Sequence, residues 1–198
     1  MEKLFLKADA PGISIFCTIT EWNIGYLKEF TDYFKNYPIR QIGFMHTNFT
    51  PGKVVHAHNL QYGNKYPATM SNVSDTHISE MNLQLLWNEI QSIRSATYSF
   101  PIVFSPDIKD MRALEIFYKY PGILIGKRCN DAFRNIMIKS DGSVIPAHGR
   151  CYNIPLGNMY KNSLKEIWNS NISAGFRKDI LKAGGLFPAC SRCCSAFS

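Results

Sequence analysis

Ile13-Ser14-Ile15-Phe16-Cys17-Thr18-Ile19-Thr20 decides how the first half of the chain folds. Ile13, Ile15, Cys17 and Ile19 alternate with Ser14, Phe16, Thr18 and Thr20, the period of two that a strand imposes, and β-branched residues dominate the stretch. Asn23 then suits an N-cap, and Ile24, Leu27, Phe30 and Phe34 recur at three- and four-residue steps, which predicts an amphipathic helix to about Asn36. Ile39 to His46 reads as a second strand. A strand, a helix and a strand in succession default to parallel strands joined by a crossover.

Working outward, Thr47 to His77 has no sustained periodicity and carries Pro51, Gly52, Gly63 and Pro67, so it reads as a long loop. Helical spacing returns over Ile78 to Ser95, a short strand follows at Phe100 to Phe104, and Asp107 to Tyr120 is another helix. The front of the chain is thus an α/β array of about three strand-helix units. In such arrays ligands sit at the carboxyl ends of the strands, which nominates Thr18, Thr20 and Asn23 after the first strand and His46 after the second. A parallel strand wants neighbours on both edges, so an array of three units is expected to need a further element or another chain.

The texture changes near residue 125, which separates a first domain, 1–125, from a second, 126–198. Ser140-Asp141-Gly142 between two β-rich runs is a hairpin signal. Ser163-Leu164-Lys165-Glu166 is a capping box opening a short helix through Trp168, Ser173 suits the cap of another, and Gly184-Gly185 stops it.

Five of the six cysteines lie beyond residue 128, and the chain closes on Cys190-Ser191-Arg192-Cys193-Cys194. Two cysteines separated by two residues form a chelate loop, because a tight turn aims both sulfurs at one soft ion or cluster. Cys129 precedes the hairpin and Cys151 follows it, so the hairpin draws them together and the helices return the tail to them. Adjacent side chains diverge, which leaves Cys194 as a spare thiol, and Cys17 falls among the apolar positions of its strand as a small hydrophobe. His56 and His58 read as solvated loop side chains, while His148 is placed to hydrogen-bond a cluster or substrate near Cys151. Ligand type alone leaves zinc and iron-sulfur both open. A disulfide framework and a thiol redox pair are weaker readings, the second because no thioredoxin-like context surrounds Cys190 and Cys193.

Composition sets outer bounds. With 45% hydrophobic and 19% charged residues, 198 residues can bury a core. No run of 18 apolar residues occurs and the first ten residues lack a long apolar core, so neither a membrane span nor a signal peptide is expected and a cytoplasmic location follows. The formal charge of +7 is spread along the chain without a basic block interleaved with aromatics, so it reads as a solvated surface and a nucleic-acid partner is not expected.

From Cys129 onward the ordered set of Cys129, the hairpin Ile138 to Pro146, Leu156-Gly157-Asn158, Ser163 to Ser170, Phe176-Arg177 and Pro188-Ala189-Cys190-Ser191-Arg192-Cys193 resembles the SPASM or shorter twitch domain of radical S-adenosylmethionine enzymes. The resemblance implies an auxiliary 4Fe-4S cluster and turns the choice from zinc to iron. That family commonly carries a cysteine directly after the hairpin proline, where this chain has Ala147, so Cys151 is nominated in its place. The implied ligands are Cys129, Cys151, Cys190 and Cys193, enough for one cluster. The front half is similar to the later strands of the family's partial (βα) barrel. The three-cysteine motif that holds the S-adenosylmethionine-cleaving cluster is absent, since Cys17 stands alone before Cys129. The chain therefore reads as the C-terminal half of such an enzyme, with S-adenosylmethionine as cofactor only of a complete enzyme. Its expected partners are a chain supplying the missing N-terminal half-barrel and a peptide or small-molecule substrate.

Overall fold

The computed structural model describes residues 12–71, 77–147, 149–151 and 153–197. The chain separates into two compact units that do not follow a single cut: Met1–Thr47 with Ser74–Lys119, and Asn48–Val73 with Tyr120–Ser198. Among the described residues no helix is long and apolar enough to cross a membrane.

In the first unit, β1 (Ser14–Ile19), β2 (Gln41–His46) and β3 (Ile102–Ser105) form a parallel sheet in that order, with Phe16 opposite Gly43 and Gly43 opposite Val103. Alternation sorts the two faces. Ile19, Ile42 and Phe44 are fully buried on one, where Phe30 of helix α1 (Leu27–Tyr33) sets its ring against Phe44. On the other, Phe16 is 60% and Val103 48% exposed. Phe16 lies across Gly43, where a Cβ would come within 2.6 Å of its ring, so the glycine is what lets the ring cross the middle strand.

Helix α1 begins later than its periodicity predicts and Asn23 does not cap it; Tyr26 is the N-cap and offers no side-chain bond. The cap comes from elsewhere. Glu89, buried on helix α3 (Leu83–Ser95), accepts the backbone N–H of Gly25 at 2.6 Å, Leu27 at 2.9 Å and Lys28 at 3.4 Å. Spacing within a helix cannot reveal a cap supplied by a residue more than sixty positions away. The helical run expected from Ile78 is also broken, into a turn at Ile78–Glu80 and then α3, because Asn82 takes the cap by accepting the N–H of Leu85 at 3.0 Å. Helix α4 (Met111–Lys119) is opened by Asp110, whose side chain accepts from Ala113.

The second unit begins with a correction. The stretch expected to be a loop between Thr47 and His77 contains helix α2 (Gly52–Tyr62). Its ordering signal is a four-residue ladder, Val54, His58, Tyr62 and Tyr66, in which a histidine takes an apolar place. Tyr62 and Tyr66 pack on Phe187, with ring centroids 4.5 and 5.3 Å away. The hairpin forms where the Asp-Gly signal sits: β4 (Ile136–Ile138), β5 (Ser143–Pro146) and β6 (Gly157–Asn158) make an antiparallel sheet in that order. Gly142 adopts the positive φ of +76° that the tight turn requires.

The capping box forms at helix α5 (Leu164–Trp168), with Ser163 N–H donating to Glu166 at 2.7 Å and Glu166 N–H donating back to the Ser163 hydroxyl at 3.3 Å. Helix α6 (Asn171–Lys182) starts earlier than expected, because Ser170 is its cap and accepts from the Ser173 N–H. Ser173 instead lies buried and donates its hydroxyl to the Ile167 carbonyl at 2.6 Å.

Candidate metal centre

Cys129 is placed by a backbone bond made far along the chain, and the other cysteines by local turns. Gly184 and Gly185 both take positive φ after α6, turning the chain so that Gly185 O accepts the Cys129 N–H at 3.0 Å. Just before it, Lys127 N–H donates to Ala196 O at 2.9 Å, tying the strand of chain that carries Cys129 to the tail. Cys151 ends a 3-10 turn, Gly149–Cys151, that follows β5. Cys190 ends another, Pro188–Cys190, and its carbonyl accepts the Cys193 N–H at 3.1 Å, which is the tight turn that a two-residue spacing predicts.

Between them Arg192 is only 1% exposed. Its guanidinium donates to the carbonyls of Ile123 and Tyr120, both at 2.9 Å, and of Ser191 at 2.8 Å. The charged side chain thus works as an anchor for the cysteine turn.

Cys129, Cys151, Cys190 and Cys193 all line one cavity of about 320 Å³ within this unit. At roughly 30 Å³ per water, that is room for on the order of ten waters. Among the described residues no three His, Cys, Asp or Glu side chains are gathered closely enough to hold a metal ion as they stand.

Burial pushes the Cys190 thiol up to about 12, and burial also raises Cys129. Cys193 is raised most by its hydrogen bond with the Cys194 thiol, then by burial. That bond corrects the expectation that neighbouring side chains diverge here: Cys194 reaches Cys193, although it is not among the residues lining the cavity. A desolvated thiolate is costly, so burial holds these thiols toward their protonated form, and a cation bound among them would favour the thiolate. The donor set, four soft sulfurs around a cavity, fits an iron-sulfur cluster.

The segment read as a loop also lines the cavity. His58 is buried, not solvated. Its Nε2 lies 2.6 Å from the Tyr66 carbonyl, which can only accept, so Nε2 carries the hydrogen and Nδ1 accepts the Ala189 N–H at 3.4 Å, one residue before Cys190. His58 therefore steadies the cysteine turn as a neutral imidazole, and burial lowers its pKa accordingly. His56 is exposed on the same helix. His148 lies outside the described residues.

The four residues nominated in the first unit stand at the carboxyl ends of β1 and β2. Asn23 uses its amide locally, donating to Thr18 O at 2.8 Å and to Cys17 Sγ at 3.6 Å while accepting from Thr20 N at 2.9 Å. Thr18 is exposed and Thr20 half-buried. His46 is 3% exposed, with Nδ1 2.8 Å from the Tyr118 hydroxyl and Nε2 buried without a hydrogen-bond partner among the described residues.

Burial, reinforced by the charge of Arg94, pulls His46 from 6.5 to about 3. The unfolded chain therefore binds a proton that the folded unit refuses, and the stability this contributes is complete above pH 6.5 and is lost as pH falls toward 3. In His46→Gln the slope of unfolding free energy against pH between 6 and 4 should flatten by about 1.4 kcal/mol per pH unit, the worth of one proton, measured by urea titrations. An unchanged slope would show that His46 is protonated in the fold.

Residues 129–194 match the SPASM family, an iron-sulfur cluster-binding domain, over 66 of the 198 residues. No curated protein and no solved structure matches the chain. The four cavity-lining cysteines thus all fall within the stretch that matches the SPASM iron-sulfur cluster-binding domain.

Proposed function

We propose that this protein binds one 4Fe-4S cluster through Cys129, Cys151, Cys190 and Cys193, as the twitch-type, single-cluster form of the SPASM domain. The observation that carries the reading is the shared cavity: four cysteines spread from position 129 to position 193 line one space. When bound, such a cluster supplies one-electron transfer or an iron that holds a substrate. The protein's own residues hold and seal the site. Arg192 and His58 fix the turn that carries Cys190 and Cys193, and Tyr66, Phe176 and Phe187 close the apolar side of the cavity.

The wider proposal is that residues 1–125 are the later part of a radical S-adenosylmethionine barrel and residues 126–198 its auxiliary-cluster domain, working with a chain that supplies the remaining strand-helix units. Phe16 and Val103 support it, because a parallel sheet ordinarily has both faces covered and theirs is open. Thr18, Thr20, Asn23 and His46 would then belong to the cofactor or substrate end of the completed barrel, and a peptide or small molecule would be the substrate.

Anaerobic reconstitution of the full chain, followed by iron, sulfide and zinc analysis and a visible spectrum, tests the cluster. Iron and sulfide in equal amounts, close to four each per chain, with charge-transfer absorption are expected. A colourless protein that holds one zinc and refuses iron overturns the reading. With no three-cysteine motif in the sequence, the reconstituted chain alone should release no 5'-deoxyadenosine from S-adenosylmethionine above a protein-free control.

A further inference from the structure

Thr50 and Ser71 lie outside the matched stretch, yet both line the cysteine cavity. Their backbones exchange two hydrogen bonds, Thr50 N–H to Ser71 O at 3.0 Å and Ser71 N–H to Thr50 O at 3.2 Å, and Ser71 donates its hydroxyl to that of Thr50 at 3.3 Å. Arg150, next to Cys151, donates through Nη1 to both hydroxyls, at 2.7 Å to Thr50. It lines the same cavity as Cys190 and Cys193. Neutral hydroxyls orient a guanidinium without neutralising it, so the clamp fixes the direction of a charge that cannot be titrated away.

We infer that Arg150 is the counter-charge of the cysteine-held cluster, and that Thr50 and Ser71 are positioning residues that aim it. The inference rests on the cluster reading proposed above. Reduction adds one electron from an external donor to a group already made negative by its thiolates, with no bond formed or broken. A fixed positive charge on the cavity wall favours the more negative, reduced form, and so raises the reduction potential. On this account the Asn48–Val73 excursion into the second unit has a purpose beyond packing, because it carries both halves of the clamp.

The test uses the full chain, reconstituted anaerobically, with iron and sulfide measured before each dithionite titration followed by electron paramagnetic resonance. At the wild-type midpoint, Arg150→Gln should lower the ratio of reduced to oxidised cluster on the order of tenfold, a shift of about 59 mV for a one-electron couple. Arg150→Lys should recover most of that shift, and Thr50→Val combined with Ser71→Ala should fall between, all at wild-type iron content. An Arg150→Gln protein with full iron and an unshifted midpoint overturns the inference while leaving the cluster reading intact. Should Arg150→Gln retain no iron, an iron-replete Thr50→Val/Ser71→Ala protein with an unshifted midpoint overturns it instead. A wild-type chain that takes up no iron overturns both.

Discussion

Serine in place of any one of Cys129, Cys151, Cys190 or Cys193 should remove most of the iron that the reconstituted protein retains, whereas Cys17→Ser should retain all of it. The four residues share a cavity and Cys17 belongs to the other unit. The effect on folding should be as large. Cys129 sits in the core of its unit with Phe187 and Ala196, and Cys151 and Cys190 pack against that core, so a group bound there ties the two ends of the domain together. Because the unfolded chain has no such site, the free energy of binding is free energy of folding, and structural zinc sites put its scale at about 10 kcal/mol or more. Loss of the group should therefore separate the unfolding of the second unit, followed through Trp168, from that of the first, which holds Trp22 and Trp87. Cys194→Ser is the informative control. Iron lost from it but kept by Cys193→Ser would move the fourth ligand by one residue.

Glu89→Ala should destabilise the first unit by about 3 kcal/mol or more. One buried side chain accepts three backbone N–H groups at the start of α1, and its removal leaves all three donors without that acceptor, the Leu27 N–H in a buried place where water does not easily replace it. Glu89→Gln retains one carbonyl oxygen and should cost less, about 1–2 kcal/mol. Amide hydrogen exchange makes the assignment specific: Gly25, Leu27 and Lys28 should lose protection ahead of the rest of α1. An alanine variant whose urea midpoint and exchange pattern match the wild type would refute the capping role.

Elements fixed by neighbouring residues were legible in the sequence. The alternation in β1, the Asp-Gly turn, the Ser163 to Glu166 capping box and the Cys190 to Cys193 turn all depend on contacts within a few positions, and each forms where its signal lies. Elements completed by distant residues were not. Helix α2 has a periodicity, but its ladder includes His58, whose polarity is satisfied only by the Tyr66 carbonyl and the Ala189 amide, so composition favoured a loop. Helix α1 lacks a cap in its own sequence because Glu89 provides one.

The sequence by itself pointed to thiolate ligation of a metal or cluster, through six cysteines of which five lie beyond residue 128, and it determined the α/β texture of the front, through periodicity. Only the tertiary structure decided which unit Asn48–Val73 joins, that its hydroxyls hold Arg150 at the cavity, and that the four cysteines line one cavity. The reason is physical: spacing along a chain encodes local geometry, whereas a cavity is enclosed by side chains whose proximity depends on how separate segments pack.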